Sequence, residues 1–152
     1  MKTINYSSTN TILGVAVSIF SFVVFSLTVE PTASYWDCAE YISTSAKLQV
    51  GHPPGAPLFQ MLGAIFSTFA CESDQIALSI NMMSVTSSAL TILFLFWSIS
   101  HLTKGFVSLE KNISIFEAIK IFGSSTLGSL TFMFTDSFWF NAVEAEVYAW
   151  RH

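Results

Sequence analysis

Two stretches of this chain, Thr11 to Val29 and Gln75 to Thr103, contain no Asp, Glu, Lys or Arg. Each is close to or beyond the roughly 20 apolar residues that a helix needs to cross a bilayer. Runs of this kind restrict the chain to folds that place them in lipid. Composition agrees, because only 11% of the residues are charged, against about 25% in soluble domains. The mean hydropathy is +0.58, and fifteen Phe suit lipid-facing helices better than one aqueous core. A net charge of -4, with no basic patch, excludes nucleic acid as a partner. The first run is read as a span and not a cleaved signal. It is too long, only Lys2 precedes it, and no A-x-A site follows.

A third uncharged run, Ile121 to Thr135, reaches span length if Lys120 snorkels to the interface. Gly123, Ser124, Gly128 and Ser129 offer a small-residue face suited to close helix contact, although such residues are also common in membrane helices generally. Ala56 to Ala70 is apolar but, at about 15 residues, belongs to the length class of interfacial or re-entrant helices. Pro53 and Pro54 precede it, and Pro57 suits a first helical turn. Charge decides whether it crosses. If it does not, Lys2, Lys104 and Lys111 lie inside, with Lys120 at the start of the third span. Glu30, Asp37, Glu40, Glu72 and Asp74 then share an outer loop with the single Lys47, as the positive-inside rule requires. The expected fold is an all-α membrane protein with three transmembrane helices, at about 11–29, 75–103 and 118–135, and juxtamembrane helices in an outer loop over 30–74. Residues 1–152 form a single membrane module, and Arg151-His152 carries no helix-stop signal. The chain reads as the N-terminal piece of something longer. This topology gathers Asp37, Glu40, Glu144 and Glu146 on one face.

Asp37 and Glu40 are three apart, so a helix over Tyr35 to Leu48 points both to one side. Such a pair deprotonates a hydroxyl, holds a divalent metal ion through oxygen ligands, or merely faces water. Spacing alone leaves all three open, and Tyr35, Trp36 and Tyr41 could equally form an interfacial belt. His52-Pro53-Pro54-Gly55 is a stiff turn that holds an imidazole at the membrane edge, or a plain structural turn. Glu144 and Glu146 splay about 200° apart on a helix. Glu144 shares a face with Asn141 and Tyr148, and Glu146 with Trp150, so Glu144 is the better site candidate. Cys38 and Cys71 lack metal-type spacing. Two free buried thiols are expected, with pairing as the alternative. No nucleophile arrangement, phosphate loop or thiolate metal site is visible. The sequons at Asn5 and Asn112 fall inside in this topology, where they would be unused.

In order along the chain come Trp36 to Ile42 (W-D-x-x-E-Y-I), His52 to Leu58 (H-P-P-G-x-P-L), Asn81 to Ser84 (N-x-x-S) and Ala145 to Tyr148 (A-E-V-Y). This order resembles the protein O-mannosyltransferase superfamily, polytopic glycosyltransferases of the C-type fold. It is most similar to a bacterial polytopic membrane family long labelled a domain of unknown function, and to its eukaryotic transmembrane O-mannosyltransferase relatives. The resemblance runs from about Val29 to the end, and H-P-P-G with A-E-V-Y is specific only in combination. It implies that a full-length form is an enzyme, with this portion inactive alone. That enzyme transfers a mannose-like sugar from a polyprenyl-phosphate donor, held in membrane lipid, to a protein or glycan acceptor on the outer face. It implies an inverting displacement with Asp37 as base and Glu40 its neighbour. His52 would lie near the donor phosphate or shape the pocket. Asn141, Glu144, Glu146 and Tyr148 would orient substrate or metal. It also implies an integral membrane location, the bacterial inner membrane with the site facing the periplasm. The departures are the missing further spans and the lack of an outer cation, besides Lys47 and Arg151, to meet the phosphate. A non-catalytic anchor or partner-binding subunit is the alternative. A transporter piece fits less well, because the three runs contain no acid.

Overall fold

The computed structural model describes residues 3–34, 37–53, 55–107 and 112–145. Six α-helices and two short strands follow in the order β1 (Thr3–Asn5), α1 (Tyr6–Thr28), α2 (Cys38–Ala46), α3 (Pro57–Ser67), α4 (Ile76–Val107), β2 (Asn112–Ser114), α5 (Ile115–Met133) and α6 (Asp136–Val143). The chain is therefore mostly helical. β1 and β2 pair antiparallel, with Asn5 opposite Asn112, and this ladder corrects the all-helical expectation. A three-residue strand has no readable period, and only the fold brings its partner alongside.

Among the described residues two helices are long and apolar enough to cross a membrane, the 23-residue α1 and α4 with its preceding turn, Ser73–Val107. At 1.5 Å per residue α1 spans about 35 Å. The 11 residues of α3 reach only about 16 Å, half the roughly 30 Å hydrocarbon core. α5 has 19 residues with Glu117 near its start and is not one of these two.

The chain divides into two compact units. The first comprises residues 1–21 and 89–135. There α1 and α4 approach closely at Gly14, where an added Cβ would strike Trp97 and Leu93. Ser18 donates to the Ala89 carbonyl, and Ser100 to Asn10. α5 starts with a capping box, Ser114 and Glu117 satisfying each other's backbone N–H. Of the expected small-residue face, Gly128 meets Ile99, with 2.8 Å to an added Cβ, and Ser129 is buried. Gly123 faces open space.

The second unit comprises residues 22–88 and 136–152. Its core gathers Cys38 and Ile42 of α2, Ala56, Phe59 of α3, Ile80 and Met83 of α4, and Ala145. Phe25 packs against Phe138 and Trp139. Among the described residues both cysteines are free, Cys38 buried and Cys71 exposed, so only one of the two expected buried thiols is buried.

Candidate acid–histidine site

The site is built by a sharp reversal after α2. That helix starts at Cys38, with Asp37 in the capping position, and ends at Ala46; it is shorter than the sequence pattern over 35–48. Leu48 adopts φ 49°, the left-handed conformation that glycine usually supplies at a helix end. Its N–H bonds to the Ser45 carbonyl and that of Gln49 to Thr44, at 3.2 and 2.8 Å. These two bonds are the Schellman pattern, and they turn the chain back along its own helix. Gly55, at φ 75°, and a Gly55-to-His52 backbone bond of 2.9 Å close the next turn. The result lays Gly51 and His52 beside Glu40.

Glu40 spends both carboxylate oxygens on one residue. Oε1 accepts the His52 backbone N–H at 2.7 Å, and Oε2 meets His52 Nδ1 at 2.8 Å. A side chain at Gly51 would crowd this clasp, with 3.1 Å from its Cβ to Glu40 Oε1 and 3.0 Å to Gln60 Nε2. The other face of the imidazole looks to Asp37, with Nε2 3.9 Å from Oδ2. Asp37 and His52 are half exposed, 55% and 46% of their side chains reaching solvent, so the open edge can meet a substrate. The two hydrogen bonds from His52 hold the Glu40 carboxyl below its ordinary 4.5. The Glu40 hydrogen bond and charge raise the His52 imidazole above its ordinary 6.5.

The ligand atoms of Asp37, Glu40 and His52 lie within 4.8 Å of one another, near enough for a divalent cation to be considered. The hydrogen bonding argues against it. A carboxylate accepts only, so Nδ1 must carry a proton toward Glu40, and an ion there would first have to break that bond. Within the trio Glu40 and His52 are directly hydrogen-bonded, whereas Asp37 Oδ2, 3.9 Å from Nε2, is beyond hydrogen-bond reach.

α3 fixes the floor of the site. Gly63 lets it approach α2, where an added Cβ would lie 2.7 Å from Ser45 Oγ. Gln60 donates to Thr44 at 3.2 Å, and the Tyr41 and Phe59 rings pack at a tilt with centroids 5.4 Å apart.

Glu144 forms a second acidic point in the same unit. It is 8% exposed and accepts a hydrogen bond from Ser34. With Glu30, Ala33, Ser34 and Phe140 it lines a cavity of about 600 Å³. The chain around it is tied down. The Glu30 N–H bonds to the Val143 carbonyl at 3.0 Å. Asn81 Nδ2 donates to the carbonyls of Glu30 and Thr32, at 2.7 and 3.0 Å. Ala145 shares the buried cluster of Cys38, so the residues following Glu144 and Asp37 enter one core.

α6 stops at Val143, and Glu144 sits in a bend beyond it, not on a continuing helical face. Asn141 Nδ2 donates to the Ser137 carbonyl of its own helix at 2.7 Å. Glu146 and Tyr148 lie outside the described residues. Sequence reasoning missed Ser34 and Glu30 as partners of the second acid. The only signal was their place directly after the first span.

A family model described as the protein O-mannosyl-transferase TMEM260 N-terminal domain matches residues 37–152. The chain belongs to this family. The match begins at Asp37 and takes in Glu40, His52, Asn81 and Glu144. The chain is also similar to the protein O-mannosyl-transferase tmem260 of Dictyostelium discoideum, 32% identical over 78 residues. That stretch is 51% of this chain and 10% of the relative, so the chain corresponds to a small part of that protein's length. No solved structure matches the chain.

Proposed function

We propose that this chain forms the acceptor-activating part of a membrane glycosyltransferase that moves a mannose-like sugar from a polyprenyl-phosphate donor to an acceptor hydroxyl, on protein or glycan, with inversion. The observation that carries this reading is the Asp37–His52–Glu40 cluster, held on short helices directly after a membrane-length helix. A lipid-linked donor keeps its tail in the bilayer and presents its sugar at that level. Both Glu40 oxygens are occupied by His52, which leaves Asp37 as the carboxylate free to accept a hydroxyl proton. Proton removal by a placed base contributes about 10² to 10⁴ in rate.

In this reading residues 1–152 act as one membrane module of the C-type glycosyltransferase fold, crossing three times through α1, α4 and α5. The site faces the non-cytoplasmic side, the periplasm in the bacterial inner membrane expected from the sequence. Glu144, with its cavity, orients substrate as the second acidic point, and Glu146 and Tyr148 are proposed to join it. Two features support a crossing by α5. It begins at the β1–β2 ladder, and its last residue, Met133, accepts from Ser21 well along α1.

The test uses the full-length protein in membranes with a polyprenyl-phosphate mannose donor. Asp37→Asn is expected to lower kcat by at least about 10²-fold with little change in donor binding. Wild-type transfer that survives intact in Asp37→Asn would remove the base assignment.

A further inference from the structure

The Glu40 clasp decides which edge of the imidazole is free. Because Oε2 accepts from Nδ1 and Oε1 from the same residue's backbone N–H, the ring has one tautomer and one orientation when neutral. Its Nε2 lone pair then points away from Glu40, and Asp37 Oδ2 lies 3.9 Å from it. Among the described residues other ionisable groups near the ring are few. The Tyr41 ring lies 6.3 Å from the imidazole, and α3 carries no ionisable residue at all.

We propose that His52 clears the acceptor proton from Asp37, with Glu40 as the residue that positions the ring. The step rests on the sugar-transfer reading above and completes its proton path. The acceptor O–H bond breaks as its oxygen bonds to the anomeric carbon of the sugar. The bond from that carbon to the phosphate oxygen breaks, and its electron pair leaves with the polyprenyl phosphate. The proton passes to Asp37, then to His52 Nε2 across one water or a small side-chain rotation, and from the exposed ring to solvent. A carboxylic acid gives up its proton to an imidazole, the stronger base of the two side-chain types. An imidazole backed by Glu40 holds it, so the transfer runs downhill and returns Asp37 to its base form.

The relay requires neutral His52 at the start of each turnover, so activity falls as pH drops through its pKa. Removing the Glu40 charge lowers that pKa, and the acid limb must move to lower pH. The experiment measures kcat against pH for the full-length protein, with the polyprenyl-phosphate mannose donor, in wild type, Glu40→Gln and His52→Gln. Glutamine at 52 keeps an amide donor for Glu40 but takes no proton. His52→Gln is expected to lower kcat between roughly 10- and 100-fold with both KM values unchanged, and to abolish the limb. Glu40→Gln is expected to shift the limb downward in pH. An active enzyme whose limb stays in place in both variants overturns the relay while the sugar-transfer reading stands. A wild type without transfer overturns that reading and the relay with it. Should either variant fail to fold, ¹⁵N NMR of His52 in the wild type decides. A proton on Nδ1 of the neutral ring supports the relay, and one on Nε2 overturns it.

Discussion

At Glu40, one side chain ties two segments that lie twelve positions apart, and its charge acts in both directions across the bond. The carboxyl is lowered below 4.5 and the imidazole raised above 6.5. A lowered acid contributes stability present above its unfolded pKa, and that stability is lost as pH falls through the folded value. A raised imidazole contributes stability present below its unfolded pKa, which is lost as pH rises through the folded value. The clasp is therefore strongest between about pH 4.5 and 6.5. It weakens on the alkaline side only in part, because neutral His52 still donates from Nδ1. Amide hydrogen exchange at Gly51 and His52, corrected for intrinsic rate, is expected to be slowest in that window and to lose its pH dependence in Glu40→Gln. A wild-type profile as flat as the variant's would mean that the two side chains do not pair in solution. The residue types of this site were legible in the sequence, but their pairing was not. Asp37 and Glu40 sit at helical spacing, whereas His52 reaches them only because Leu48 takes a left-handed conformation that nothing in its identity announces.

Among the elements, α2 and α3 depend on each other. Neither is long enough to be stable alone in water, and their contact rests on the missing side chain of Gly63, 2.7 Å from Ser45 Oγ as judged from an added Cβ. Gly63→Val is expected to force the helices apart and to cost about 1–3 kcal/mol, the usual range for overpacking. A lowered melting temperature in detergent, with weaker protection at His52, checks this. Unchanged stability would mean that the two helices do not meet at this point. The apolar length of α1, α4 and α3 was readable from hydrophobicity alone, as was the proline start of α3. The end of α6 was not. Phe138 to Val147 continues in apolar and helix-compatible residues, yet the helix stops at Val143, where the Glu30 N–H takes its carbonyl and Ser34 takes Glu144. Tertiary hydrogen bonds won over local propensity there.

For the whole molecule, the β1–β2 ladder carries an argument about crossings that composition could not supply. Thr3–Asn5 and Asn112–Ser114 are hydrogen-bonded neighbours, so in the proposed membrane arrangement both lie on one face. The chain between them must cross an even number of times. In that arrangement α1 and α4, both long and apolar enough, make two crossings, and a third through α3 would separate the strands. For that proposal the positive-inside rule supplies the direction, since in the sequence Lys2, Lys104, Lys111 and Lys120 flank the hydrophobic runs on one side while the segment from Glu30 to Asp74 is acidic. Cys71 is exposed and serves as a native probe of the acidic loop. Phe106, 90% exposed, reports the end of α4, and Ser137 the start of α6. In the full-length protein with its other cysteines replaced, a membrane-impermeant maleimide applied to intact cells is expected to label Cys71. On a Cys71→Ser background it should label Ser137→Cys and spare Phe106→Cys until the membrane is opened. Labelling of Phe106→Cys from outside together with Cys71 would mean that α4 does not cross. Protection of Ser137→Cys, with Cys71 labelled, would mean that α5 does not cross. Glu144 would then lie on the opposite face from Asp37, and one acceptor site could not use both.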